Sequence, residues 1–246
     1  MYVTCGPVRF LNVLSSAALV LGLSFPAIAR DTSIRLSDAI VIGFVGGRVG
    51  RTNAIHSEVQ LADRLRHEYP SGVQVRMFEN RRGGQARREI LQVLDANGDG
   101  ELSSAEKTAA RIAIYGHSWG ASETVALARA LGEDGIPVLL TIQVDSVAKM
   151  GEHDGLIPAN VAEAINFYQS DGLLHGRSQI RADNPAHTRI LGNFHFAYKS
   201  HPIDCSAYPW YARLFMKPHI EIESDPKVWH EVESLIRSKL QDVDVR

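Results

Sequence analysis

Apolar residues along this chain come in short unbroken runs that alternate with longer stretches where they recur every third or fourth position. Ala39-Ile40-Val41-Ile42-Gly43-Phe44-Val45 is apolar throughout and stops at Gly46-Gly47, as a strand covered on both faces should. Residues 55–69 follow with apolar side chains at 55, 59, 61, 62 and 65, one face of an amphipathic helix. The alternation continues with a strand over 73–78, a helix over 85–94, a strand over 111–115, a helix over 121–131 and a strand over 138–144. Strands and helices at this spacing need crossover connections, so the expected fold class is α/β, a mostly parallel sheet with helices on both faces. Beyond Asp145 the rhythm weakens. Residues 160–168 read as a helix, 188–196 as a strand and 227–240 as a closing helix, with Asp225 as its N-cap and Pro226 in its first turn.

The N-terminus stands apart from this pattern. Arg9 is the only charge before Arg30, residues 10–25 are almost wholly apolar, and Pro26-Ala27-Ile28-Ala29 ends in small residues. These features predict a secretory signal over 1–29 followed by one domain over 30–246. The apolar run falls short of the roughly 20 residues a spanning helix requires. A secreted or periplasmic location follows, with no stable membrane span after cleavage; an uncleaved anchor is the alternative. Cys5 leaves with the signal, so Cys205 has no intramolecular partner and the domain must hold without a disulfide. With 45% hydrophobic and 22% charged residues the chain is neither disordered nor collagenous. A net charge of −2 gives no reason to expect nucleic acid as a partner.

Gly116-His117-Ser118-Trp119-Gly120 lies between an apolar strand and a helix rich in Ala and Leu, the context of a nucleophile elbow. So sharp a turn strains the serine backbone and leaves no room for a Cβ two residues to either side. The serine oxygen then projects from the carboxyl edge of the sheet. The following amide, that of Trp119, opens the helix and is aimed to donate to an oxyanion. Asp145 directly follows the next apolar strand and so reaches the same edge. It is the candidate acid, with Asp183, Asp171 and Asp154 as fallbacks.

On these residues the chain from about 38 to 240 resembles α/β-hydrolase serine enzymes of the lipase, esterase and thioesterase kind. The resemblance implies a triad of serine, histidine and acid with the serine first in the chain, and an oxyanion hole built partly from the loop after an early strand. Gly46-Gly47-Arg48 fills that place, so an amide near Gly47 is the second expected donor. Chain order disfavours His56, His67 and His117. The family histidine sits on a loop between the last strand and the last helix, which selects His219 in Lys217-Pro218-His219-Ile220, with His201 and His195 as alternatives.

Asp95-Ala96-Asn97-Gly98-Asp99-Gly100-Glu101-Leu102-Ser103-Ser104-Ala105-Glu106 matches the twelve-residue EF-hand loop. Asp95, Asn97 and Asp99 supply side-chain oxygens, Glu101 a backbone carbonyl, Ser103 a direct or water-borne contact and Glu106 a bidentate carboxylate. No second loop accompanies it, and the following helix is cut short, so the Ca2+ expected here is structural rather than a sensor's. Arg81, Arg82, Arg87 and Arg88 form a basic cluster that reads as a solvated face. The apolar stretch from Tyr208 to Met216 reads as a pocket wall, a lid or core packing. The sequence thus points to a secreted serine hydrolase acting on a small-molecule or lipid ester, or on a thioester. A catalytically silent calcium-binding scaffold on the same fold is the second reading.

Overall fold

Seven consecutive buried residues form β1 (Ala39–Val45), and the chain then runs α1 (Ser57–Glu68), β2 (Val73–Glu79), α2 (Gly83–Leu94), α3 (Ser104–Thr108), β3 (Ile112–His117), α4 (Trp119–Glu133) and β4 (Val138–Val144). It continues through β5 (Leu156–Ile157), β6 (Val161–Gln169), β7 (Arg181–Ala182), β8 (Arg189–Phe196), α5 (Trp210–Ser224) and α6 (Pro226–Gln241). The computed structural model describes residues 1–2 and 38–241; apart from its first two residues, the expected signal over 1–29 lies outside them. No helix among the described residues is long and apolar enough to cross a membrane.

Six strands make one parallel sheet in the order β2-β1-β3-β4-β6-β8, an α/β fold as the apolar runs require. Because side chains alternate along a strand, Val41 and Val45 face one layer and Ile40, Ile42 and Phe44 the other. The first layer packs under Leu61 and Leu65 of α1 and Val232 and Ile236 of α6. The second packs under Ile90 of α2 and Val125 and Leu131 of α4. Each such side chain, fully buried, contributes about 1.5–3 kcal/mol. Asp225 caps α6 as expected, its carboxylate accepting from the Lys227 amide at 2.8 Å.

Two expectations are corrected. The stretch expected as a helix over 160–168 is strand β6, Val161–Gln169. Its Ala and Glu content favours a helix, but pairing to β4 on one side and β8 on the other overrides it. The polar Asn166 is tolerated inside the sheet because its amide donates to the Arg177 carbonyl at 2.9 Å. His219, expected on a loop, sits in the second half of α5. Pro218 lacks an amide hydrogen, and the helix kinks just before it, at Met216 (φ −132°, ψ 24°).

Candidate active site

Ser118 joins β3 to α4 with φ 57° and ψ −126°, a conformation that costs a non-glycine residue about 1–3 kcal/mol. The surroundings hold it there. Its amide donates to the Val144 carbonyl and its carbonyl accepts from the Ala121 amide, each at 3.0 Å. A Cβ on Gly116 would lie 2.6 Å from the Gly120 carbonyl oxygen, and one on Gly120 would lie 2.3 Å from the Phe44 carbonyl oxygen. Both glycines are therefore required by close approach.

Asp145 follows β4, the neighbouring strand, and is completely buried. One carboxylate oxygen accepts from the amides of Gln169 at 3.1 Å and Gly176 at 2.8 Å. The other accepts from Gln169 Nε2 at 2.8 Å and faces His219 Nδ1 at 2.6 Å. Burial alone would raise this carboxyl, but the His219 hydrogen bond and charge, with the Gln169 donors, outweigh it and hold the group below its ordinary value. The carboxylate fixes the His219 proton on Nδ1 and leaves Nε2 as the basic nitrogen. Ser118 and His219 line one cavity of about 440 Å³. Their side chains are not hydrogen-bonded to each other.

Gly46, Gly47 and Trp119 line the same cavity. The amides of Gly47 and Trp119 have no acceptor among the described residues. Asn80, which the sequence did not single out, anchors the glycine turn by donating from Nδ2 to the carbonyls of Val45 at 3.2 Å and Gly47 at 2.5 Å. Its own carbonyl accepts from Lys149 Nζ at 2.8 Å.

Chain order set His56 and His117 aside, yet both line the cavity. The His117 ring lies 4.5 Å from that of His219, centroid to centroid. His117 Nδ1 is 3.4 Å from Glu223, which also contacts His56 Nδ1. Burial pushes the His117 imidazole down to about 4, against the pull of Glu223. Burial would raise Glu223, but the neighbouring His117 and His56 outweigh it and hold the carboxyl below its ordinary value. Of the other candidates, His195 bonds Ser170 at 2.9 Å, His201 is exposed, Asp171 pairs with Lys199 and Asp154 binds Ser146 and Arg177. Asp183 is exposed. The 208–216 stretch divides: Tyr208, Tyr211 and Met216 line the cavity, while Trp210, Leu214 and Phe215 are exposed.

The loop over 95–106 is wound by its own side chains. Asp95 accepts from the amides of Gly98 at 2.8 Å, Asp99 at 3.2 Å and Gly100 at 2.9 Å. Asn97 accepts from Asp99, and Asp99 from Glu101. Gly100 takes φ 84° at the reversal. Glu106 forms a capping box with Ser103 on the short α3. These hard oxygen donors suit calcium, although Asp95, Asp99 and Glu106 do not converge as a trio within 4.8 Å.

No protein-family model and no curated protein matches the chain. Among solved structures, an arylesterase is similar at 13% identity over 45% of this chain, with a TM-score of 0.30; the chain spans 37% of the arylesterase's length. A dienelactone hydrolase-like promiscuous phosphotriesterase from metagenomic libraries is similar at 12% identity over 81% of this chain and 86% of that one, with a TM-score of 0.37. At these levels the chemistry is read from the site itself.

Proposed function

We propose that the chain is a serine hydrolase that cleaves a carboxylic ester or thioester through an acyl-enzyme. The observation that carries this reading is the buried Asp145–His219 pair at 2.6 Å on the cavity into which the strained Ser118 opens. Ser118 Oγ attacks the carbonyl carbon while His219 Nε2 takes its proton. Asp145 holds the imidazole's tautomer and offsets the charge it gains. The amides of Trp119 and Gly47 donate to the oxyanion. His219 then returns the proton to the leaving alcohol or thiol, and a water repeats the sequence to release the acid. The cavity wall of Trp119, Tyr211, Met216 and Ile220 is apolar enough for an acyl chain or aromatic ring.

Calcium would be held by Asp95, Asn97, Asp99, Glu106 and the Glu101 carbonyl once the loop draws these donors together, and it would take no chemical part. It would brace the connection from α2 into β3 and hence the elbow. Export through the N-terminal signal completes the reading. A fluorophosphonate probe tests it: the full chain is labelled and Ser118→Ala is not. A folded chain that escapes labelling and leaves nitrophenyl esters of every chain length uncut is instead a silent scaffold.

A further inference from the structure

Outside the triad, His56, Glu58 and Glu223 each offer one ligand atom, and the three atoms lie within 4.8 Å of one another. His56 is the N-cap of α1 and is extended (φ −82°, ψ 129°), which lets side chains two residues apart turn to one centre. Glu223 reaches it from the last turn of α5. Glu58 is completely buried, and neither of its carboxylate oxygens has a hydrogen-bond partner. Burial and the Glu223 carboxyl beside it oppose its ionisation, and the Gly46 amide favours it. Two carboxylates this close and this dry cannot both stay charged without a cation or a shared proton between them.

We propose that His56, Glu58 and Glu223 bind one divalent transition-metal ion of the zinc class, with an open coordination position toward the cavity that holds Ser118. One imidazole and two carboxylates form a borderline donor set that favours such an ion over calcium. Three protein ligands with a free fourth position is the arrangement of a reactive rather than a purely structural zinc site. His56 and Glu223 both line the cavity, so the open position takes a water or an anionic oxygen of the cavity's occupant. The ion would answer the unpartnered Glu58 and fix Glu223, hence His117, beside the triad histidine. This site is separate from the 95–106 loop and does not depend on the hydrolase reading.

The test is equilibrium dialysis of the full chain against zinc, with excess calcium filling the loop and bound metal measured by mass spectrometry. One zinc per chain is expected, retained by Ser118→Ala and Glu106→Gln. Outer partners of a metal ligand are worth about 10- to 100-fold in affinity, so Glu58→Gln and Glu223→Gln should lose at least that much. Since loss of a buried carboxylate can unfold the chain, the more exposed His56→Gln is measured too, with cobalt(II) absorption as a second readout. The cobalt band should appear in the parent and vanish in the folded variant. No uptake by the parent, or unchanged affinity in folded His56→Gln, overturns the site and leaves a proton shared by Glu58 and Glu223.

Discussion

Replacing Asp145 by Asn exchanges one oxygen for an amide nitrogen, and the surroundings dictate where that nitrogen goes. The oxygen bonded to the Gln169 and Gly176 amides must remain an acceptor, because backbone donors cannot turn round. The new NH2 therefore takes the place facing His219 Nδ1, now 2.6 Å away, and Gln169 Nε2, now 2.8 Å away. Gln169 cannot turn over freely to accept it. Its Oε1 accepts from the Asp171 amide at 2.7 Å and its Nε2 donates to the Leu174 carbonyl at 3.0 Å. His219 must then expose a bare Nδ1 and carry its proton on Nε2, where the Ser118 proton has to go. The wrong tautomer costs about 10⁴-fold in kcat, or about 5.5 kcal/mol. Nitrophenyl acetate turnover measures it, with circular dichroism confirming the fold. A folded Asp145→Asn that keeps more than about a tenth of kcat would refute the assigned role. The pH profile gives a second readout. A carboxyl held below its ordinary 3.8 stabilises the fold above that pH and loses its contribution as pH falls through the folded value. The stability gap between parent and Asp145→Asn should thus narrow below about pH 4.

Gly120→Ala places a methyl 2.3 Å from the Phe44 carbonyl and should lower stability by about 3 kcal/mol or more, read as a fall in Tm. Gly84→Ala, whose new Cβ meets only Arg88 at 3.8 Å, should hold or raise Tm; equal losses in the two would contradict the close-approach argument. Asn80→Ala frees the Gly47 turn and should lower kcat about 10-fold or more with little change in KM; loss of Tm alone would make Asn80 structural only. Calcium at 100 times its Kd should add about 2.7 kcal/mol to stability. Chelator should remove that gain from the parent and do nothing to Glu106→Gln. Identical melting with and without calcium would dismiss the loop as a binding site.

What was legible in the sequence was what short-range chemistry fixes. Gly116 is demanded by a contact inside the turn, its Cβ position lying against Gly120, so strand, turn and helix appear together in one stretch of chain. Gly120 is demanded by Phe44 of the neighbouring strand β1 and is legible only as part of that pattern. Asp145 was legible because it directly follows an apolar strand. The failures share the opposite property. β6 reads as a helix because Ala162, Glu163 and Ala164 outweigh its β-branched and aromatic residues in a local reading, and only pairing to β4 and β8 decides the matter. His56 and Glu223 are 167 positions apart. Only the tertiary fold brings the start of α1 against the last turn of α5. Glu221 and Glu223, buried on the kinked half of α5, carry no sequence signal that sets them apart from solvated glutamates. Chain order selected the one histidine that faces Asp145, and for the same reason it was a poor guide to that histidine's neighbours. A rule that selects one histidine by its place in the chain says nothing about His117 and His56. Both pair with the one buried carboxylate of Glu223, which only the folded chain brings to them.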